Sequence, residues 1–149
     1  MGFREGQEDQ PRPVVGVLAI IRIMAAPLFD EADDRFELRP STVPGAGLGV
    51  FARVELPAGA TLEVIGVLVR RESVSDRCTH FADRHKFRIG EKLLIPVGFG
   101  GLVNHSAEPN LEKRIDGERV FLRTVRPVAA GEELFFRYPD AALERLGIG

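Results

Sequence analysis

The sequence predicts a mainly β fold with short helices. Its 149 residues include 16 glycines and 10 prolines, which interrupt regular elements and favour turns. The apolar residues fall in short runs, many of them alternating with polar residues, and only a short stretch near the C-terminus keeps a helical period. Short strands joined by turns fit this pattern best.

The elements can be placed in order along the chain. Residues 36–39 alternate apolar and polar side chains, and Pro40 ends this first strand. Residues 71–84 are polar and are predicted to be irregular. Further strands are predicted at residues 49–52, 61–69, 119–124 and 133–138, with a hairpin over 87–95 that turns at Gly90-Glu91 and a closing helical turn over 141–146.

Length and composition favour one domain. A chain of this size that is 44% apolar can bury one sizeable hydrophobic core. We expect residues 1–34 to form an N-terminal extension, residues 35–141 the domain and residues 142–149 a short tail. The net charge of −2 divides into −4 for the extension and +2 for the remainder, and so small a basic excess does not favour nucleic-acid binding.

The cysteine and histidine content argues against a metal site. Cys78 is the only cysteine in the sequence, so an internal disulfide and a zinc site of four cysteines are both excluded. The three histidines His80, His85 and His105 form no convincing metal cluster. A chain with one thiol suits a reducing compartment, and we expect it to be cytoplasmic.

The most hydrophobic run covers residues 14–28. It is shorter than the ~20 apolar residues that span a bilayer, and it carries Arg22 near its middle. The residues before it lack the basic character of a signal peptide. We therefore expect neither a membrane span nor secretion. Two interpretations stay open, a strand or short helix packed on the domain, or a true start at Met24.

Three motifs follow one another along the chain. The first is a glycine turn, GAGLG at residues 45–49, which permits positive φ and close approach of the backbone to a ligand. A strand rather than a helix follows it, so the turn does not fit the dinucleotide-binding fingerprint. The second motif is NHSAEPN at residues 104–110, and the third is GEELFFRY at 131–138, which ends in the only tyrosine.

Together, over about residues 36–139, these motifs resemble the SET-domain protein lysine methyltransferases. The signatures of that family are a GxG turn, an NHSxxPN segment and a GEEL segment that ends in tyrosine. The resemblance implies the SET-type β-clip fold, in which the second and third motifs meet in a knot-like crossing. It also implies S-adenosyl-L-methionine as the cofactor and a lysine ε-amine of a protein partner as the methyl acceptor, with neither nucleic acid nor membrane as a partner.

The resemblance also assigns roles to residues by position. Tyr138 would be the catalytic residue, because a phenol can orient the amine and favour the partly positive methyl group in flight. The substrate channel would be lined by Phe136 and Phe87. The cofactor contacts would come from Ala46, Gly47, Leu48, Leu102, Asn104, His105 and Tyr138, and Gly49 would allow the turn.

The chain departs from the family pattern at several positions. Arg137 stands where aspartate is common, Gly101 stands where arginine is often found, and a second tyrosine is absent. Ala107 replaces a zinc-ligating cysteine, and the C-terminal cysteine cluster of many members is missing, so neither structural zinc nor the lid it builds is expected.

These departures keep two alternatives open. One is a non-catalytic SET-fold module that binds a peptide or S-adenosylmethionine. The other is a methyltransferase for a small molecule or another amine. Glu132 and Glu133 are adjacent on a predicted strand and point to opposite faces, so they do not form an acid/base pair. The sequence does not indicate an oligomeric state.

Overall fold

The computed structural model describes residue 26 and residues 28–148. Most of the hydrophobic run at residues 14–28 lies outside the described residues, and so do the predictions made for it. Within the described part, no helix is long and apolar enough to cross a membrane.

The elements are β1 (Phe36–Pro40), β2 (Leu48–Ala52), β3 (Thr61–Val64), β4 (Gly66–Arg70), α1 (Val74–Arg77), α2 (His80–Arg84), β5 (Phe87–Ile89), β6 (Lys92–Pro96), a 3-10 turn (Phe99–Gly101), β7 (Asn104–His105), β8 (Leu111–Asp116), β9 (Arg119–Thr124), β10 (Phe135–Phe136) and α3 (Asp140–Leu146).

The strands form three small sheets in the described residues. β1 and β2 make an antiparallel ribbon, and β4, β6 and β5 make a three-stranded sheet in that order. The largest sheet has the order β3-β9-β8-β10-β7. Its strand β10 runs parallel to both neighbours, whereas β3, β9 and β8 pair antiparallel. The mainly β fold predicted from the sequence is confirmed.

One hydrophobic core receives side chains from all three sheets. Val50 comes from the ribbon, Leu122 from the largest sheet and Leu94 from the third sheet. Val50 and Leu122 are completely shielded from solvent. Burying an aliphatic side chain of this size contributes ~1.5–3 kcal/mol to folding, so this shared core joins the three sheets into one packed unit.

The single strand predicted over residues 61–69 is wrong. The structure divides it into β3 and β4, which belong to different sheets. The break lies at Ile65, whose carbonyl oxygen accepts a hydrogen bond from the amide of Val97 at 2.9 Å. At Gly66 an added Cβ would lie 2.2 Å from the carbonyl oxygen of Ile95, so glycine lets β4 approach β6. Strand propensity is high on both sides of the break and therefore gave no signal.

Residues 71–84 were predicted to be irregular, and this is wrong. They contain α1 and α2. The hydroxyl of Thr79 caps α2 by accepting a hydrogen bond from the amide of Ala82 at 2.9 Å. The buried carboxylate of Asp76 forms an ion pair with Lys86 and accepts the amide of Glu72 at 2.8 Å. Polar side chains of this segment and of Lys86 thus stabilise the two helices.

The C-terminal elements agree with the sequence only in part. The hairpin at residues 87–95 and the strand at 119–124 are confirmed as β5–β6 and β9. The last strand is shorter than residues 133–138, because regular pairing covers only Phe135–Phe136. The predicted helical turn at 141–146 is confirmed as α3, which begins at Asp140 and so spans the predicted boundary between domain and tail.

The end of the N-terminal extension contacts the domain. Glu31 accepts a hydrogen bond from the backbone amide of Phe99 at 2.6 Å. Asp33 accepts two side-chain hydrogen bonds from Arg35 at 2.9 and 2.7 Å. Phe99 in turn packs against the ring of Phe36 with centroids 5.9 Å apart. Glu31 therefore attaches the extension to the 3-10 turn that leads into β7.

Candidate functional site

The second and third motifs meet where β10 lies between β7 and β8. Phe135 pairs with Asn104 on one side of β10, and Phe136 pairs with Leu111 on the other. Asn110 stabilises this crossing, because its Oδ1 accepts the amide of Phe135 at 2.8 Å and its Nδ2 donates to the carbonyl of Glu133 at 2.8 Å. The two motifs are therefore adjacent, as expected, while a knot-like threading of the chain stays a prediction.

Tyr138 is half-buried beside this crossing. Its hydroxyl donates a hydrogen bond to the carbonyl oxygen of Val103 at 3.0 Å, and its backbone amide donates to Nδ1 of His105 at 3.1 Å. Burial raises the pKa of Tyr138 to about 12. The phenol is thus neutral at ordinary pH, with its proton directed at a carbonyl and its oxygen lone pairs available to accept.

An aromatic column continues from Tyr138 into the third sheet. The ring centroids of Phe136 and Tyr138 are 4.9 Å apart, and those of Phe87 and Phe136 are 5.6 Å apart. Phe87 and Phe136 are each only 7% exposed. The two residues predicted to line a substrate channel are therefore in contact with each other and with Tyr138, and their role in a channel stays a prediction.

The glycine turn needs glycine for two different reasons. Gly47 has φ of +75°, and an added Cβ would meet nothing within 4 Å, so its requirement is conformational. Gly49 lies in β2, where an added Cβ would lie 2.1 Å from Oε1 of Glu133. The expectation that Gly49 allows the turn is wrong. Gly49 lies in a strand, and the lack of a side chain there makes room for the Glu133 side chain.

Asn104 connects the glycine turn to the other two motifs. Its Nδ2 donates to the carbonyl oxygen of Leu48 at 2.9 Å, to Oγ of Ser41 at 3.2 Å and to Oε1 of Glu133 at 3.3 Å. Three other residues that were predicted to contact the cofactor lie on the segments next to Leu48 and Asn104. Ala46 and Gly47 lie on the partly exposed turn, whereas Leu102 follows the 3-10 turn and packs on the core.

Sequence reasoning missed the partners of Glu133. This carboxylate is only 4% exposed, and it accepts from the hydroxyl of Ser41 at 2.7 Å and from the hydroxyl and amide of Thr42 at 2.6 and 2.7 Å. Burial alone would raise the pKa of Glu133, but the bonds from Thr42 and Ser41 hold it below the ordinary value. Glu133 is therefore an ionised, buried acceptor.

The neighbouring carboxylate has separate partners. Glu132 forms an ion pair with Arg126 and accepts the amide of Ala129 at 3.1 Å. The prediction that Glu132 and Glu133 point in opposite directions and do not form a dyad agrees with these contacts. A signal for Glu133 was present in the sequence, since a carboxylate flanked by core residues must find hydrogen-bond donors.

Among the described residues, no group of three or more His, Cys, Asp or Glu side chains could hold a metal ion. Cys78 is exposed. His105 uses Nδ1 to accept the amide of Tyr138, so its ring belongs to the crossing of β7 and β10.

Comparison with known proteins identifies the family. A family model of the SET domain matches residues 47–139, a span that includes the Asn104-His105 pair and Tyr138. The chain belongs to the SET-domain family. No curated protein sequence gave a significant match to this SET-domain chain.

Solved structures with a similar fold include chains of polycomb repressive complex 2 and a candidate histone methyltransferase. A chain in the crystal structure of an active polycomb repressive complex 2 in the basal state is 25% identical with a TM-score of 0.62, covering 70% of this chain and 15% of that one. A humanized mutant of the Chaetomium thermophilum polycomb repressive complex 2, bound to the inhibitor GSK126, is 24% identical with a TM-score of 0.62, covering 73% and 15%. A candidate histone methyltransferase of Plasmodium falciparum is 19% identical with a TM-score of 0.59, covering 73% and 96%.

This SET-domain chain thus covers 15% of each polycomb chain and 96% of the Plasmodium chain in its solved structure. The two structures that are less than 25% identical to this chain show that it has the SET fold. The prediction that the sequence folds as a SET domain is confirmed by the family match and by these structures together.

Proposed function

We propose that this SET-domain protein transfers a methyl group from S-adenosyl-L-methionine to the ε-amine of a lysine in a protein substrate. The observation that carries the proposal is the position of Tyr138, whose hydroxyl donates to the carbonyl of Val103 at 3.0 Å beside the Asn104-His105 segment. A neutral phenol at the crossing of two signature motifs is suited to orient an amine.

The residues at the site fit S-adenosyl-L-methionine. Its amino-acid tail carries an ammonium and a carboxylate. Asn104 offers a side-chain oxygen, and the turn that contains Ala46 and Gly47 offers backbone groups at the surface. Leu48 joins the two features, since its carbonyl accepts from Nδ2 of Asn104. These residues would hold the tail, and His105 and Leu102 would complete the cofactor contacts.

The bound cofactor supplies a methyl group on a positively charged sulfur. The protein side chains then act by position. Tyr138 keeps its proton and directs it at the carbonyl oxygen of Val103, so its lone pairs can accept from the lysine amine and favour the partly positive methyl group. The apolar rings of Phe87 and Phe136 exclude water, and desolvation lowers the pKa of an acceptor lysine from its reference value of ~10.4 toward the neutral form that can react.

A non-catalytic binding module is the second candidate, and two observations favour it. Tyr138 is the only tyrosine in the sequence. Gly101 stands where an arginine is often found, and an added Cβ there would lie 2.9 Å from Pro96 and 3.4 Å from the ring of Phe81. A side chain at position 101 has no room, so the arginine that many relatives carry cannot be accommodated in this packing.

Two measurements test the proposal. Isothermal titration should show binding of S-adenosylmethionine, and Asn104→Ala should weaken it at least about tenfold, because a hydrogen bond to a charged group contributes ~1.5–3 kcal/mol. Radiolabelled methyl transfer to proteins of a cell lysate should follow, with the label recovered on lysine. Binding without transfer would support the module, and absence of binding would remove the proposed methyltransferase and leave only a module that binds a peptide.

A further inference from the structure

The side-chain amide of Asn104 has one allowed orientation. Its nitrogen lies 2.9 Å from the carbonyl oxygen of Leu48 and 3.3 Å from Oε1 of Glu133. A carbonyl oxygen and an ionised carboxylate can only accept hydrogen bonds. The amide atom that faces them must be the nitrogen, and Oδ1 of Asn104 therefore points away from both.

Ser41 and Thr42 keep the carboxylate of Glu133 ionised. Oγ of Ser41 donates to Oε1 of Glu133 at 2.7 Å, and Thr42 donates to Oε2 through its hydroxyl and its amide at 2.6 and 2.7 Å. These bonds lower the pKa of Glu133 against the effect of burial. Because the Ser41 hydroxyl gives its proton to Glu133, it presents a lone pair to Nδ2 of Asn104, 3.2 Å away.

The oxygen of Asn104 is the group left for a ligand. Three acceptors surround the nitrogen, whereas no donor from the described residues reaches Oδ1. Asn104 is half-buried next to the exposed side of the glycine turn at Leu48. A lone acceptor at such a position binds an N–H group of a ligand and repels a carboxylate.

We infer that Glu133 is a positioning residue: it holds the amide of Asn104 with only its oxygen toward the ligand, so that the preference of the site for the ammonium of the cofactor depends on Glu133. This inference rests on the proposed function and deepens it, because it names the residue that sets the orientation of one cofactor contact. Glu133 itself acts through Asn104 and the turn.

Glu133→Gln separates this role from simple packing. The glutamine keeps the shape of the side chain, but one of its branches is now a donor. To satisfy the amide of Thr42, the glutamine must turn its NH2 toward Nδ2 of Asn104, where two donors oppose each other. If Asn104 flips to relieve this, its oxygen meets the carbonyl of Leu48. Either way the acceptor is no longer held toward the ligand.

The test compares two probes that differ in one group. S-adenosylhomocysteine carries the ammonium, and its deaminated analogue lacks only that group and keeps the carboxylate. By isothermal titration, the wild type should bind S-adenosylhomocysteine at least about tenfold more tightly, and Glu133→Gln should lose about that factor. The affinity of Glu133→Gln for the deaminated analogue should stay within about twofold of the wild-type value. Equal loss for both probes would show a merely structural role and overturn the inference.

Glu132→Gln is the matched control, because it changes the adjacent carboxylate, which faces Arg126. It should alter neither affinity by more than about twofold. If Glu133→Gln does not fold, Ser41→Ala removes the hydroxyl between Glu133 and Asn104 and should selectively weaken S-adenosylhomocysteine by about threefold. Unchanged affinity in folded Ser41→Ala would also overturn the inference. Failure of the wild type to bind either probe would remove the proposed function itself.

Discussion

The hydroxyl of Tyr138 donates a hydrogen bond to the carbonyl oxygen of Val103, a residue 35 positions earlier, at 3.0 Å. Val103 is only 1% exposed, so its carbonyl belongs to the buried backbone that directly precedes the Asn104-His105 pair. The bond therefore fixes the phenol relative to the second motif, and it makes the hydroxyl a target for a single-atom change.

Tyr138→Phe deletes that hydroxyl and leaves the ring in place. Methyl transfer should fall by about 100-fold or more, because a preorganised group that acts on the transition state is lost. Affinity for S-adenosylhomocysteine should stay within about twofold. The free energy of unfolding should fall by only about 1 kcal/mol for the lost hydrogen bond. Steady-state methylation, titration and thermal melting measure the three quantities, and turnover close to wild type would show that the phenol takes no part in the reaction.

At saturating cofactor, the pH dependence of turnover should have a rising limb without a falling one between about pH 7 and pH 10. The acceptor lysine must lose its proton, and its reference pKa is ~10.4. Burial raises the pKa of Tyr138 to about 12, so the phenol stays protonated over this range and contributes no loss. Initial rates with circular dichroism at each pH provide the check. A decline above about pH 9 in folded protein would argue for an ionising group in the site other than the substrate lysine.

Phe136 is predicted to set how many methyl groups are added. Its ring lies against Tyr138 with centroids 4.9 Å apart and carries no hydroxyl to bind water. The lysine can then rotate after the first transfer, so the wild type should proceed beyond monomethyllysine and Phe136→Tyr should restrict it. Mass spectrometry of the methylated substrate under excess cofactor decides this, and monomethyllysine alone from the wild type would contradict it.

Two glycines of the first motif should respond differently to alanine. Gly47→Ala forces a side chain into φ of +75° without any clash and should cost about 1–2 kcal/mol. Gly49→Ala places a Cβ 2.1 Å from Oε1 of Glu133 and should cost about 3 kcal/mol or more, because it displaces a buried charge from its donors. Denaturant unfolding of the two variants gives the comparison. A larger cost at Gly47 would contradict the assignment of the close contact to Gly49.

Two truncations distinguish the parts of the N-terminal extension. Removal of residues 1–23, so that the chain begins at Met24, should leave Tm unchanged if the hydrophobic run is peripheral or mostly precedes the true start. Removal of residues 1–32 also deletes Glu31, which accepts the amide of Phe99 at 2.6 Å, but keeps the pair of Asp33 and Arg35. It should lower Tm by about 5 °C for the ~1 kcal/mol of one hydrogen bond. Unfolding of the shorter deletion would instead show that the run packs into the core.

The elements that follow local rules were predictable from sequence. The hairpin of β5 and β6 turns at Gly90, and β9 follows the turn at Gly117, as turn residues between alternating strands require. The break at Ile65 was not predictable, because it depends on the approach of β4 to β6 and not on the propensity of either half. The helices at residues 74–84 were hidden for a similar reason, since Asp76 and Lys86 stabilise them through a buried ion pair.

The candidate site likewise contains residues that sequence motifs identify and residues whose role depends on distant contacts. Asn104, His105 and Tyr138 could be named from motifs, and the structure brings them together. The role of Glu133 depends on Ser41, a residue 92 positions away. Only folding brings the two together, so their relation could not be derived from spacing.

The insertion of β10 between β7 and β8 has a consequence for biosynthesis. A ribosome releases residues 104–116 well before residues 133–138, yet the later segment must enter between strands made earlier. Until then Asn110 lacks the backbone partners at Glu133 and Phe135 that it has in the folded protein, and contacts so distant in sequence form slowly. We expect one edge of β8 to stay unpaired in nascent chains. We expect these chains to bind chaperones until Tyr138 has left the exit tunnel.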